Sequence, residues 1–201
     1  MAGEEPAGMI RRGVLPDEWF ERVDGVPMTK AAVRAIVMSL LNPLDGMNIL
    51  EIGSGTGAVT VELARSAGLA GRVTSVEFSA EAARTTRGNV ERAGLTERVG
   101  IIEGRAPRDI PEAGYGAVFV GGHGPELEPI MRRCFELIEP GGRMALTSVT
   151  PGTTSAALGC FGKLTGDIGF WRVHSSSGRR TGSDWLMIGN NPVDIIWGDK
   201  L

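Results

Sequence analysis

The sequence has few cysteines, few aromatic residues and no long apolar run. Its two cysteines, Cys134 and Cys160, lack metal-ligand spacing, so no metal site is expected. Two buried thiols fit a reducing compartment, and we predict a cytoplasmic protein. No apolar stretch reaches the ~18 residues of a membrane span, and the start, MAGEEPAGMIRRG, lacks the apolar block of a signal peptide. We therefore expect no membrane partner.

The chain also has no large net charge of either sign. The net charge of −3 argues against a general nucleic-acid-binding protein, because such proteins are usually strongly basic. Charged residues make up 22% of the chain and hydrophobic residues 42%, a mixture typical of a globular domain. With 201 residues, the chain fits one domain, which we assign to residues 13–201, after a flexible lead-in at 1–12.

Strand-like and helix-like segments alternate through most of the chain. Thr29 is the predicted N-cap of the first long helix, and Ser79 that of a later one. Strands separated by helices predict an α/β fold with a mostly parallel sheet that is covered on both faces. The five predicted buried strands are MNILEI, RVTSVEF, RVGIIEG, GAVFVGG and RMALTSVT.

The C-terminal part has a different pattern. Two strand-like runs, FWRVHSSS and WLMIGNNPVDIIWG, are joined by the polar stretch GRRTGS. This arrangement predicts an antiparallel hairpin added to the parallel sheet. Pro192 has no N–H to donate to a strand ladder, so we expect a bulge or a sheet edge at that position.

A glycine-rich turn, LEIGSGTGAVT, connects the first strand to its helix. Gly53, Gly55 and Gly57 permit positive φ and keep Cβ atoms away from a ligand. Ligands of open parallel sheets bind at the carboxyl ends of the strands. Glu77 ends the second strand, 20 residues after Gly57, where a carboxylate can accept hydrogen bonds from a ribose diol. The turn and the acid together predict a nucleoside-bearing cofactor.

The turn alone leaves the identity of that cofactor open. Gly53, Gly55 and Ala58 also fit the fingerprint G-x-G-x-x-G/A, which suits a nicotinamide oxidoreductase. Two features favour S-adenosyl-L-methionine instead: Glu51, which can reach toward the amino-acid end of the cofactor, and the terminal hairpin, which is uncommon in dehydrogenase domains. A methyltransferase acting on protein or tRNA and a non-catalytic nucleoside-binding subunit are further alternatives.

The stretch EIGSGTG, together with Glu77, resembles the class I methyltransferases, which have a Rossmann-like fold. A closer resemblance lies outside that core. Over residues 13–197 the chain is similar to the cobalt-precorrin-6B carbon-15 methyltransferase (decarboxylating) family, relatives of the C-terminal half of precorrin-6Y methyltransferase. The segments that carry this resemblance, in chain order, are GVLPDEWFERVDGVPMTKAAVRA, EGRAP, VGGHG, IEPGGR and NPVDII.

The family resemblance implies an activity and a set of partners. It implies methylation of carbon 15 of a tetrapyrrole, loss of carbon dioxide from the ring C acetate, and a role in cobalamin biosynthesis. It also implies S-adenosyl-L-methionine as cofactor and a homotetramer.

Cofactor contacts follow position by position from the resemblance, with Glu77 on the ribose and Ala106 on the adenine. One position departs from the family, which often has Asp where this chain has Arg105. An arginine cannot accept from the adenine amino group, so Arg105 either stacks on the adenine or turns outward. The predicted cofactor-binding residues are Thr29, Glu51, Gly53, Ser54, Gly55, Thr56, Gly57, Glu77 and Ala106.

The implied chemistry needs few catalytic side chains. An electron-rich carbon attacks a sulfonium methyl group directly, so the protein mainly positions the reactants and excludes water. A substrate with several carboxylates favours Arg and Lys near the pocket mouth, and we predict Lys30 and Arg34, unless they form a solvated helix face. His123 follows the fourth strand and can donate to a carboxylate or move a proton. His123 and Lys30 are therefore the catalytic candidates, and Lys30, Arg34 and His123 the substrate-binding candidates.

Overall fold

A computed structural model describes residues 13–201, so the predicted lead-in at 1–12 lies outside the described residues. No helix within the described range is both long and apolar enough to cross a membrane. The helices are α1 (Ala31–Leu41), α2 (Ala58–Ser66), α3 (Ala80–Arg92), α4 (Leu127–Leu137) and α5 (Pro151–Leu164), with 3-10 turns at Asp17–Trp19 and Thr96–Arg98. The strands are β1 (Asn48–Ile52), β2 (Arg72–Glu77), β3 (Val99–Glu103), β4 (Tyr115–Val120), β5 (Ile138–Ser148), β6 (Ile168–Val173), β7 (Ser176–Thr181), β8 (Asp184–Gly189) and β9 (Val193–Asp199).

The main sheet has seven strands in the order β3-β2-β1-β4-β5-β9-β6. Strands β1 to β5 run parallel, as predicted, and β9 runs antiparallel to both of its neighbours. The strand order reverses between β1 and β4, because β2 and β3 lie on one side of β1 while β4 and β5 lie on the other. In such sheets the crevice for a ligand forms at this reversal, outside the carboxyl ends of the strands.

Both faces of the sheet are buried, which confirms the prediction of a covered parallel sheet. Successive side chains of a strand point to opposite faces, and β4 follows this rule. Ala117 and Phe119 pack in a cluster with residues of α1 and α2, whereas Val118 and Val120 pack in a second cluster with residues of α4 and α5. The sheet is therefore the middle layer of three, and its strand ends are held rigidly from both sides.

The C-terminal region contains four strands where two were predicted. β6 pairs with β9 in the main sheet, with Val173 opposite Val193, and β7 pairs with β8 in a separate two-stranded ribbon. Most of GRRTGS belongs to β7, and the reversal follows at Gly182. Pro192 lies between β8 and β9, outside any ladder, rather than at a bulge or an edge. Alternation along the chain identified these residues as strand-forming, but it cannot specify which strands pair across a long connection.

Of the two predicted helix N-caps, one is confirmed and the other was wrong. Ser79 caps α3, since its side chain accepts from the Ala82 N–H at 3.3 Å. Thr29 does not cap α1, because the helix begins one residue later, after Lys30, which makes no side-chain cap hydrogen bond. The Ala31 N–H donates instead to Asp17 Oδ1 at 2.8 Å. A carboxylate from the preceding segment thus replaces the local cap, and no local sequence pattern indicates this.

Candidate cofactor and substrate cleft

A cleft of about 610 Å³ opens at the carboxyl ends of β1 to β4, where the strand order reverses. This volume lies in the range of small-molecule sites, about 300–1,000 Å³. The segment that precedes α1 covers one side of the cleft. The segments that line it are 25–27 with Thr29, 51–56, 76–79, 104–106 and 121–126.

The glycine turn lines this cleft, and packing against the protein itself accounts for part of its glycine content. Gly53 has φ +77°, and a Cβ there would lie 2.6 Å from the backbone nitrogen of Gly122. Gly55 has φ +57°, and its Cβ would lie 3.2 Å from the Pro27 carbonyl oxygen. The contact at Gly53 excludes a side chain, and at Gly55 the positive φ and the tight contact both disfavour one, in addition to the approach of both backbones to the cleft.

Gly57 is the one predicted cofactor-binding residue that does not line the cleft. Its φ is +76°, it precedes α2 as the N-cap residue, and a Cβ there would lie 2.9 Å from Thr86 Cγ2. Close packing between the turn and α3 therefore requires this glycine. Sequence spacing alone could not distinguish such a glycine from one that faces a ligand.

Two residues of α3 hold the glycine turn in place, and the sequence analysis did not identify them. The Thr86 hydroxyl lies 2.9 Å from Ser54 Oγ and 3.1 Å from the Gly55 carbonyl oxygen. Asn89 Nδ2 donates to the Thr56 carbonyl at 2.8 Å. Both side chains are fully buried. The sequence could have indicated them, because these two polar residues are three positions apart and share the helix face that also carries alanine and valine.

Glu77 lines the cleft and is already oriented by backbone donors. Its Oε2 accepts from the Gly55 N–H at 3.0 Å, and its Oε1 accepts from the Ser79 N–H at 2.9 Å. Only 4% of the residue is exposed. An ionised carboxylate has about four lone-pair sites, so both oxygens can still accept from a bound hydroxyl pair.

Glu51 is the second carboxylate of the cleft and is fully buried. Its Oε2 accepts from the Thr60 hydroxyl. Its Oε1 and the hydroxyl of Ser75, the residue opposite it on β2, are both buried, and neither has a partner within hydrogen-bond distance among the described residues. Burial raises the pKa of Glu51 to about 7, against the lowering effects of the Thr60 and Ser75 hydroxyls. A buried acceptor without a partner costs free energy until a donor reaches it. Glu51 is therefore suited to accept from a cationic or hydrogen-bonding group of a ligand.

Three more predicted residues line the cleft: Thr29, Ala106 and His123. His123 Nδ1 lies 2.6 Å from the Gly124 carbonyl oxygen. Because a carbonyl oxygen only accepts, we assign the proton to Nδ1, which leaves Nε2 available to a ligand. Its position after β4 places this imidazole beyond the glycine turn, on the opposite side from β2 and β3.

The structure separates Lys30 and Arg34 from the cleft. Neither residue lines it, and Lys30 Nζ lies 3.8 Å from Asp17 Oδ2. Arg34 is fully buried, and its guanidinium donates to Asp17 Oδ1 at 2.8 Å and to the Leu15 carbonyl at 2.5 Å. This burial does not favour Arg34 as a substrate ligand, and the alternative of a solvated helix face was wrong for Arg34, whereas the Lys30 side chain is 40% exposed. The segment before α1 folds over this helix, and helical periodicity gives no sign of that.

Comparison with known proteins identifies the family. The sequence model of a protein family described as the precorrin methyltransferase domain matches residues 18–194. The chain belongs to the precorrin methyltransferase family. A relative from Pyrobaculum calidifontis, named probable cobalt-precorrin-6B C(15)-methyltransferase (decarboxylating), is 38% identical over 185 residues, 90% of this chain and 93% of that protein.

Two solved structures extend the comparison of this methyltransferase domain. Precorrin-8W decarboxylase from Methanobacterium thermoautotrophicum matches with a TM-score of 0.85 and 34% identity, over 92% of this chain and 98% of that one. Precorrin-6Y C5,15-methyltransferase from Geobacter metallireducens matches with a TM-score of 0.83 and 25% identity, over 92% and 97%. The resemblance and the Rossmann-like fold class predicted from the sequence are confirmed, and the chain is a methyltransferase rather than an oxidoreductase.

Proposed function

We propose that this protein methylates carbon 15 of cobalt-precorrin-6B, using S-adenosyl-L-methionine, and removes carbon dioxide from the ring C acetate in cobalamin biosynthesis. The observation that carries this proposal is the family match, together with relatives of this name that align over 90% of the chain. The proposal includes residues 13–201 as one methyltransferase domain and a cytoplasmic location.

The cleft residues fit S-adenosyl-L-methionine. The Glu77 carboxylate suits the ribose hydroxyls, and the buried Glu51 carboxylate suits the ammonium of the methionine portion, which it reaches through water or main chain. The main chain at 53–56, Thr29 and Ala106 also line the cleft and are proposed as further contacts. When bound, the cofactor supplies a methyl group on a positively charged sulfur, and two buried carboxylates favour such a cation.

The substrate then needs a site on the β4 side of the cleft, next to His123. A ring carbon uses its electron pair to form the new carbon–carbon bond while the methyl–sulfur bond breaks. Loss of carbon dioxide leaves an electron pair that the conjugated macrocycle takes up, and a proton completes the new methyl group. The protein holds the reacting atoms at near-attack distance and excludes water. His123 Nε2 is the group proposed to bind the acetate or to move this proton.

Mass spectrometry of the reaction product tests the proposed function. Incubation with S-adenosyl-L-methionine and cobalt-precorrin-6B should give a product that has gained CH₂ and lost CO₂, with one S-adenosyl-L-homocysteine per turnover. A product that gains CH₂ and keeps its CO₂ contradicts the decarboxylation. A substrate recovered unchanged, with cofactor binding intact, contradicts the proposed substrate.

The affinity for S-adenosyl-L-homocysteine should depend on pH through Glu51. Burial raises the pKa of this carboxyl to about 7, so below pH 7 it must lose its proton before it can pair with an ammonium. We expect the Kd to fall by roughly tenfold per unit as the pH rises toward 7 and to level off above it. Calorimetric titrations between pH 5.5 and 8.5 measure this, and Glu51→Gln should flatten the profile. A wild-type Kd that is independent of pH contradicts the role of Glu51.

The exposed ribbon formed by β7 and β8 supports self-association, and we propose a homotetramer. All six residues of each strand are exposed, and Trp185 and Met187 are 61% and 64% exposed. Leu186 and Ile188 point to the other face, so the ribbon is apolar on both sides. An isolated two-stranded hairpin is marginally stable in water, and other copies of the chain would cover these surfaces. Light scattering of the purified protein measures the number of copies.

A further inference from the structure

The cleft contains an unusual cation, Arg105. It is the only Arg or Lys among the described cleft-lining residues, where the acidic residues are Glu51, Glu77 and Glu126. Arg105 follows β3, the last strand on that side of the sheet, so it lies at the outer end of the cleft. No carboxylate among the described residues pairs with its guanidinium, whose donors therefore remain available to a ligand.

An aromatic ring supports this guanidinium. Arg105 Cζ lies 5.3 Å from the centroid of the Phe78 ring, which is within the range of a cation–π contact. Phe78 directly follows Glu77, lines the cleft, and is 66% exposed. The pair thus forms a planar, positively charged surface one residue away from the acid proposed to hold the ribose.

The backbone of Arg105 is fixed by a closed turn. Its N–H donates to Asp109 Oδ2 at 2.7 Å, and the Asp109 N–H donates back to the Arg105 carbonyl at 3.0 Å. Arg108 donates from Nε and Nη2 to the same carboxylate at 2.9 and 2.8 Å, and the pKa of Asp109 is lowered to about 2. Asp109 does not line the cleft, so this acid is engaged within the turn and is not an acceptor for a ligand there.

This arrangement restricts the chemistry of the bound base. If Glu77 holds the ribose, the base extends toward the ends of β2 and β3, where Phe78 and Arg105 lie. A guanidinium donates and never accepts, so the neighbouring edge of the base must present acceptor atoms. Adenine offers its ring nitrogens, whereas its 6-amino group can only donate. Hypoxanthine offers both a ring nitrogen and the 6-oxo oxygen.

We propose that Arg105, held against Phe78, sets the nucleobase selectivity of the cleft by donating to acceptor atoms of the base. The site then recognises ring acceptors rather than the 6-amino group, and it tolerates a 6-oxo purine. This inference rests on the proposed cofactor.

The test compares two ligands that differ only in the base. Dissociation constants of S-adenosyl-L-homocysteine and S-inosyl-L-homocysteine are measured calorimetrically for the wild type, Arg105→Asp and Arg105→Ala. We expect the wild type to bind both ligands within about threefold of each other, since donors at this edge suit both bases. Arg105→Asp should prefer the adenosyl ligand by about tenfold or more, because a carboxylate accepts from the amino group and repels the 6-oxo oxygen. Arg105→Ala should weaken both by about three- to tenfold.

Arg84→Ala is the matched control, since Arg84 is an exposed residue of α3 that does not line the cleft. It should leave both constants unchanged, and melting curves check that each variant is folded. A wild type that rejects the inosyl ligand, with the same ratio in Arg105→Asp, overturns the proposal for Arg105. Failure of the wild type to bind S-adenosyl-L-homocysteine at all refutes the proposed cofactor instead, and the role of Arg105 with it.

Discussion

Replacing Glu77 by alanine should weaken the binding of S-adenosyl-L-homocysteine by about 10- to 150-fold, the equivalent of the ~1.5–3 kcal/mol expected for hydrogen bonds to a charged group. The carboxylate is only 4% exposed, so its contacts with a ligand are poorly replaced by water. It also accepts from the Gly55 N–H, and its removal frees a backbone group of the glycine turn. Isothermal titration of the folded variant measures the change in Kd.

The control for this experiment is Glu103→Ala. Glu103 lies opposite Glu77 in the register of β2 and β3, at the same end of the sheet. Its side chain is 48% exposed and lies 3.7 Å from Arg87, outside the cleft lining. This variant should bind S-adenosyl-L-homocysteine as the wild type does. Equal affinities for Glu77→Ala and the wild type contradict the proposed ribose contact.

Replacing Arg34 by methionine should lower the free energy of unfolding by about 3–5 kcal/mol, as expected when one partner of a buried ion pair is removed. Arg34 is fully buried and donates to Asp17 Oδ1, while its Nε lies 3.8 Å from the buried Glu62. Its guanidinium also stacks 4.8 Å from the centroid of the Phe20 ring. Methionine approximates the length of the stem but leaves the Asp17 carboxylate and the carbonyls of Leu15 and Thr29 without this donor. It also removes one of the two cations near Glu62, the other being Arg65. Urea unfolding at neutral pH measures the loss.

Arg132→Met provides the comparison for this stability measurement. Arg132 and Glu128 form an i,i+4 pair on α4 in which both side chains are about half exposed, at 47% and 49%. Exposed pairs of this kind contribute about 0.3–0.5 kcal/mol. Similar losses in the two variants, or a stable Arg34→Met, contradict the structural role assigned to Arg34.

Local pattern predicted much of the fold and part of the cleft. The five parallel strands, the Ser79 cap and the order of elements follow from apolar periodicity and capping chemistry, which operate within a few residues. The glycine turn and Glu77 were predicted to serve one cofactor, because both lie where a parallel strand ends. The structure brings them together through the hydrogen bond from the Gly55 N–H to Glu77.

The predictions that failed concern residues whose contacts are with groups far away in sequence. Arg34 has the sequence context of an exposed helical arginine, but Leu15 and Asp17 cover it from a segment about fifteen to twenty positions earlier. Thr29 is a residue type that often caps helices, but Asp17, from an earlier segment, accepts the hydrogen bond at the start of α1. Thr86 and Asn89 support the glycine turn from a neighbouring helix, across more than thirty positions of sequence.

Composition and periodicity were therefore sufficient for the class of fold and for the edge of the sheet where a cofactor would bind, and the resemblance of the ordered motifs indicated the family. The first two properties depend on near neighbours along the chain or on a topology that right-handed crossovers restrict. Three-dimensional packing alone settled which charges face the cleft, which glycines face protein rather than ligand, and how the last four strands pair. Those outcomes depend on groups that are far apart in sequence, where burial and hydrogen-bond satisfaction outweigh local preference.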